Sequence, residues 1–262
     1  MNLAIKDRVA LITGGSQGIG LEIAKSLAEE GVKIALFAKD KEMMAEAKKQ
    51  LQEMTPHVFT VEGDALLPDT IESAVSAIKA HYGKIDILVN NIGFTGRFVK
   101  FEELEISEWK NLFELNVMSG VRFTQSVISE MKKNRWGRVI FIASESAMQP
   151  DAEMAHYNAS KAALLALSKS LANGLGEYDI TVNAVSPGPT ITPLWEKLAA
   201  QQNLSLDEFV KNFHESGARK LPLKRFGKPT DTAAVVAFLC SEKAAWITGA
   251  NYRVDGGSVK HI

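Results

Sequence analysis

Apolar positions along the chain follow two alternating rhythms. Short, uniformly apolar runs bounded by polar or glycine residues alternate with longer stretches whose apolar residues recur at helical spacing. The first kind predicts strands over 8–12, 34–37, 58–61, 85–89, 138–143 and 180–185, with a short last strand at 252–254. The second predicts helices over 18–30, stopping at Gly31, over 41–53, over 70–81 with an end near Gly83, and over a long stretch from 107 to 133. A further helix carries Tyr157 and runs to about Gly174, and helical patterning returns at 193–217 and 230–240. Strands alternating with helices imply βαβ units and a parallel sheet with right-handed crossovers. Strands apolar throughout belong in a sheet covered by helices on both faces. The pattern predicts a doubly wound α/β fold of three layers, helix on sheet on helix, continuous over 1–262. A (β/α)₈ barrel needs eight strands of similar weight, and six are clear.

Composition narrows the partners. Hydrophobic residues make up 46% and charged residues 23% of the chain, ordinary for a globular protein. Lysine plus arginine number 30 against 31 aspartate plus glutamate, so the net charge of −1 gives no reason to expect nucleic acid or an anionic membrane. The densest basic run, Lys132, Lys133, Arg135 and Arg138, falls at a helix C-terminus and reads as a solvated helix end. Cys240 is the only cysteine, which rules out a disulfide within the chain and a cysteine metal site. Residues 1–8 lack the order of a signal peptide, and no run approaches the ~18 apolar residues of a membrane span. The expectation is a soluble, cytoplasmic protein.

Thr13-Gly14-Gly15-Ser16-Gln17-Gly18-Ile19-Gly20 joins the first strand to the first helix. In a doubly wound fold a dinucleotide pyrophosphate binds there: glycines permit the tight turn and close approach, and the helix N-terminus offers amide donors. The residues after the second strand read the adenosine ribose. An acid there suits the 2′-OH of NAD; a base suits the 2′-phosphate of NADP. The strand ends Phe37-Ala38-Lys39-Asp40, with Ala38 at the discriminating position and Lys39 after it, which points to NADP, with NAD open. A slip of one residue in that alignment gives Asp40 the acidic role and reverses the preference.

Tyr157-Asn158-Ala159-Ser160-Lys161 places a phenol and an ammonium one helical turn apart, with Cβ atoms about 5–6 Å from each other. A free phenol titrates near pKa ~10. A cation about 5 Å away, at an effective dielectric near 20, favours phenolate by roughly 3 kcal/mol, or about two pKa units. That brings a tyrosine within reach of general acid–base work near neutral pH. Such a pair is also common decoration on a helix surface.

Thr13-Gly14-x-x-x-Gly18-x-Gly20, Asn90-Asn91-Ile92-Gly93, Ser144 thirteen residues before Tyr157, Tyr157-x-x-x-Lys161, Pro187-Gly188 and the late Val254-Asp255-Gly256-Gly257 stand in register along essentially the whole chain. In these motifs the chain resembles the short-chain dehydrogenase/reductases, in particular their compact single-domain branch and the 3-oxoacyl-acyl-carrier-protein reductases. The resemblance implies a Rossmann fold and an NAD(P)-dependent oxidoreductase that interconverts a secondary alcohol and a ketone. Tyr157 would be the general acid/base. Lys161 would lower its pKa and bind the nicotinamide ribose, Ser144 would hold the substrate carbonyl, and Asn116 would anchor a water in the proton relay. Hydride passes directly between nicotinamide and substrate carbon in this family, so no metal is implied. The cofactor would touch Gly14, Ser16, Gln17, Gly18, Ile19 and Gly20, then Ala38 and Lys39, then Asp64 and Ala65 at the adenine. Further along it would touch Asn91, Gly93, Pro187 and Gly188, and at the carboxamide Thr190 and Thr192. Two positions depart from the family pattern: Ile92 replaces the usual alanine, and Gln17 stands where many NADP-using members carry a basic residue, which leaves Lys39 alone to favour NADP. Members of the branch usually form tetramers through the long helices after strands four and five, so a homotetramer or homodimer is expected.

Residues from about 190 to 226 have the size of a substrate lid, with Trp195, Leu198, Phe209, Phe213 and Leu221 as a broken apolar face. Phe94, Arg97, Glu145, Met148, Gln149 and His156 are further pocket candidates around a small-molecule carbonyl or alcohol substrate. A non-catalytic NADP-binding regulator is the alternative from another functional class.

Overall fold

A computed structural model describes residues 2–215 and 221–261, apart from the side chain at 214. Seven parallel strands form one sheet: β1 (Val9–Thr13), β2 (Lys33–Ala38), β3 (Val58–Glu62), β4 (Ile87–Asn90), β5 (Gly137–Ile142), β6 (Ile180–Pro187) and β7 (Asn251–Val254). Their spatial order is β3-β2-β1-β4-β5-β6-β7. The sheet is open, with one strand short of a (β/α)₈ barrel's eight, and every neighbouring pair runs parallel.

Alternate strand residues face opposite layers. Ala10, Ile12, Ile34 and Leu36 pack on one side with residues of α1 (Gly18–Glu29), α2 (Lys41–Gln52) and α9 (Pro229–Leu239). Leu11, Ala35 and Phe37 pack on the other with α3 (Pro68–Tyr82), α5 (Ser119–Asn134) and α6 (Ala155–Leu175). β1 and β4 are buried at every residue, which is why they are apolar up to the Thr13 and Asn90 that end them; β5 and β6 are as fully buried but also carry Arg138, Thr181, Asn183 and Ser186. Chain order reverses between β1 and β4, and that switch opens the crevice at the carboxyl ends of the strands where ligands of such sheets bind.

Three sequence expectations change. The long helix predicted over 107–133 is α4 (Ile106–Phe113), a π-helical turn at Glu114–Met118, and then α5. The helical stretch at 193–217 is two helices, α7 (Pro193–Gln201) and α8 (Leu206–Glu215), while residues 216 and 217 lie outside the described ones. Arg138 is not part of a solvated basic run: it is the second residue of β5 and is 2% exposed. Its guanidinium meets the carbonyls of Gly137, Asp179 and Ser241 and the Glu242 carboxylate, and it lies over Trp136. Among the described residues no helix is long and apolar enough to cross a membrane.

Candidate active site

The glycine turn leaves β1 with Gly14 at φ +63° and Gly18 at φ +56°, both in the left-handed region that favours glycine. Gly14 N–H donates to the Phe37 carbonyl at 2.7 Å, which seats the turn against β2. A Cβ on Gly20 would fall 2.3 Å from the Gly14 carbonyl oxygen and 2.5 Å from Asn91 Nδ2. Asn91 holds the turn directly, donating from Nδ2 to the carbonyls of Thr13 (3.1 Å) and Gly14 (2.9 Å). Thr13 Oγ1 accepts from the backbone N–H groups of Asn91 and Ile92. Ile92, in place of alanine, sits against Gly14 and the core below it. Helix α1 has no acidic residue in its first turn, and Gln17, its N-cap, makes no side-chain hydrogen bond to it. Uncapped amides at a helix start, reached over glycine, fit a phosphate.

At the end of β2, Ala38 is the last strand residue and Lys39 the first beyond it. Asp40 Oδ1 accepts from Met43 N–H at 2.9 Å and caps α2. Lys39 Nζ pairs with Asp64 Oδ2 at 2.7 Å. Asp64 also closes a turn, its Oδ1 accepting from Leu66 N–H, while Ala65 behind it is buried. On the far side of the turn, Thr192 Cγ2 lies 3.6 Å from where a Gly18 side chain would begin. Thr190 Oγ1 donates to the Gly188 carbonyl, and Gly188 itself is clamped, its N–H bonded to the Val254 carbonyl. Pro187 ends β6.

The polar centre lies at the ends of β4 and β5. Lys161 on α6 is 3% exposed, and its ammonium donates to the Ile142 carbonyl at 2.8 Å. It sits 5.8 Å from the centroid of the Tyr157 ring. Burial pushes its pKa down to about 8. Gly93 passes so close that an added Cβ would lie 3.0 Å from Lys161 Nζ. Tyr157, one turn away, is half-buried. Ser144 follows β5 in extended conformation, and its Oγ accepts from Ser146 N–H at 3.1 Å; it is thus also a turn cap.

Asn116 lies in the π-helical turn, 2% exposed. Its Oδ1 accepts from Phe94 N–H, and its Nδ2 donates to the Phe94 carbonyl and to Ser160 Oγ. Both ends of its amide therefore hold Phe94 in the loop after β4, and Nδ2 also ties that loop to α6. A π turn displaces the helical hydrogen-bond ladder by one residue, a frequent feature of functional sites. Ser160, fully buried, completes this tie and donates in turn to the Tyr157 carbonyl. Nothing in the sequence singles out Ser160 beyond its place in the Tyr-Asn-Ala-Ser-Lys run, three residues after Tyr157 and so on a neighbouring helical face.

The pocket candidates separate. Phe94 is exposed at the crevice wall, next to Gly93. Glu145 is 4% exposed directly after Ser144. Gln149 is tied to the C-terminal segment, its Oε1 accepting from Lys260 N–H and its Nε2 donating to the Ser258 carbonyl. Trp195 belongs to an aromatic cluster with Phe209, Phe213 and Phe226, ring centroids 5.0–5.9 Å away, and so packs within the 190–226 segment. Arg97 forks onto Glu108 and is exposed. His156 is buried under Gly96 and beside Trp109, which removes it from the pocket candidates.

A doubly wound parallel sheet with a glycine turn at its first crossover defines a Rossmann-type, nucleotide-binding protein. Comparison with known proteins makes this specific. Residues 14–259 match the family described as enoyl-(acyl carrier protein) reductase. The chain is 37% identical, over 100% of both chains, to the uncharacterized oxidoreductase YvaG of Bacillus subtilis (strain 168). It is 32% identical to a 3-oxoacyl-acyl-carrier-protein reductase of Staphylococcus epidermidis, over 96% of this chain and 98% of that one. The solved structure of L-sorbose reductase from Gluconobacter frateurii, complexed with NADPH and L-sorbose, superposes with a TM-score of 0.93 at 34% identity, covering 100% of each chain. The chain belongs to the short-chain dehydrogenase/reductase family and is an oxidoreductase.

Proposed function

We propose that the protein interconverts a secondary alcohol and a ketone, with NADP(H) as the preferred dinucleotide and Tyr157 as the general acid/base. The observation that carries this reading is Lys161: an ammonium fully buried one helical turn from a half-buried phenol, at the carboxyl edge of the sheet. Keeping that charge out of water is unfavourable, and its place beside the phenol serves proton transfer over and above any hold on the nicotinamide ribose. The bound nicotinamide supplies or accepts the hydride. Tyr157 gives its proton to the carbonyl oxygen in reduction and takes it from the hydroxyl in oxidation, and the Lys161 charge favours the phenolate at each return. Ser144 Oγ–H, beside the end of β5, polarises the carbonyl. Asn116 and Ser160 hold the Phe94 loop and α6 at fixed separation, which orients Tyr157.

Support for NADP(H) comes from Lys39, from the commitment of Asp40 to capping α2, and from the NADPH in the L-sorbose reductase structure. For the substrate, exposed Phe94 and Leu194 flank site residues and suit an acyl chain, as in the 3-oxoacyl reductase relatives. The described residues of the lid expected over 190–226, 190–215 and 221–226, cover the crevice, with the cluster of Trp195, Phe209, Phe213 and Phe226 as a private core. Exposed Ala166 and half-exposed Ala163 on α6 offer a small-residue face for assembly into a homotetramer.

The test is Tyr157→Phe. Turnover of a 3-oxoacyl thioester or a ketose, followed by cofactor absorbance, should fall at least ~100-fold while cofactor affinity holds. Unchanged turnover would sink the mechanism. A substrate panel in the unmodified protein then decides between thioester and ketose.

A further inference from the structure

Lys39 and Asp64 leave the sheet side by side. Ala38 pairs with Glu62 across β2 and β3, and Gly63 N–H donates to the Ala38 carbonyl at 3.1 Å. The two residues after these meet over the carboxyl edge, next to the place where Gly14 is bonded to Phe37. Lys39 Nζ and Asp64 Oδ2 are 2.7 Å apart. The partners are unequal. Asp64 is fixed, its Oδ1 bonded to Leu66 N–H at 3.0 Å and its carbonyl to Thr70 Oγ1 at 2.6 Å, with its side chain 24% exposed. The Lys39 side chain is 76% exposed, and its ion pair with Asp64 is its one polar contact among the described residues. The Lys39 hydrogen bond, then the Leu66 amide, holds the Asp64 carboxyl below the usual carboxylate range. Asp40 takes no part, because Met43 N–H holds its carboxylate.

From this arrangement we infer that Asp64 tempers the cofactor preference by competing for Lys39. The inference rests on the dinucleotide reading above. A 2′-phosphate needs the Lys39 ammonium and must draw it from Asp64, whereas a cofactor with a free 2′-OH leaves the pair intact. Asp64 thereby restrains a preference for NADP(H) that Lys39 alone would make larger. Exposed ion pairs are weak, so the restraint amounts to a factor of about two to five. Any contact of Asp64 with adenine is common to both cofactors and cancels in their ratio.

The experiment titrates NADPH and NADH into the full-length protein and follows binding by calorimetry, without substrate. Four proteins are compared: unmodified, Asp64→Asn, Lys39→Gln and the double variant. Asparagine keeps the acceptor for Leu66 N–H, so the turn is retained. Asp64→Asn should raise the ratio of the NADH to the NADPH dissociation constant about two- to five-fold. In the Lys39→Gln background the same change should leave the ratio where it was. An unchanged or lower ratio in Asp64→Asn, or an equal rise in both backgrounds, would overturn the proposal while cofactor binding stands. Failure of the unmodified protein to bind either cofactor would overturn the functional reading itself.

Discussion

Lys161 should make the protein less stable than its fold allows. Its pKa lies at about 8 against an ordinary 10.5, and burial is the cause. At about 1.36 kcal/mol per pKa unit, carrying the charged form into the folded state costs roughly 3 kcal/mol. The sign follows from proton counts. Between pH 8 and 10.5 the unfolded chain holds a proton that the folded chain has released, so stability rises with pH through that window; below it the full cost applies. Replacing Lys161 with methionine removes the charge and keeps the bulk, but leaves the Ile142 carbonyl without its donor, a loss of about 1 kcal/mol. The expected net gain at pH 7 is about 2 kcal/mol, or roughly 4–8 °C in Tm for a chain of this length. Turnover should fall at least ~100-fold in the same variant. Thermal unfolding without cofactor, at pH 7 and again near pH 10, measures both proteins under equal conditions. The gap should narrow at the higher pH, because the unmodified protein recovers. A Lys161→Met protein less stable than the original, or a gap indifferent to pH, would refute the reasoning.

The glycine turn gives a steric prediction: Gly20→Ala drives a Cβ to 2.3 Å from the Gly14 carbonyl, so cofactor affinity measured by calorimetry should drop at least ~10-fold with a loss of Tm. Asp40→Ala should lower stability by about 1 kcal/mol through the lost cap and leave the NADPH to NADH affinity ratio unchanged; a fall in NADH affinity alone would return Asp40 to the ribose. Arg138→Met, at the opposite edge of the sheet from the site, should shift the denaturation midpoint while kcat stays within two-fold. Asn116→Ala frees the Phe94 loop and should reduce kcat more than Tm, read from kinetics and unfolding of the same preparation.

Much of this site was legible without coordinates, and the failures share a cause. The glycine turn, the end of β2 and the Tyr157–Lys161 spacing lie within single local segments: the turn follows β1, Lys39 follows β2, and Tyr157 and Lys161 share α6 one turn apart. Arg138 misread because its partner Glu242 is 104 residues away, and nothing near Arg138 announces a buried guanidinium. The break at Glu114–Met118 misread because the apolar rhythm runs through it; the loop carrying Phe94 and the Ser160 hydroxyl, 44 residues from Asn116, accompany the local change. The hydrogen bonds of Gln149 to Ser258 and Lys260 were likewise out of reach of the sequence, because those partners sit in the last residues of the chain.

The sequence by itself determined the alternation of strand and helix, the position of the glycine turn and the register of the phenol with the ammonium. Each follows from backbone rules that act over a few residues: period, glycine's access to positive φ, and the helical turn. Only the tertiary structure decided how those groups behave. Lys161 becomes a weak base because β5 and the Gly93 loop close over it. Lys39 becomes a held cation because β3 brings Asp64 beside it. Charge in a protein takes its value from burial and partners, and in this fold both come from segments far apart in the chain.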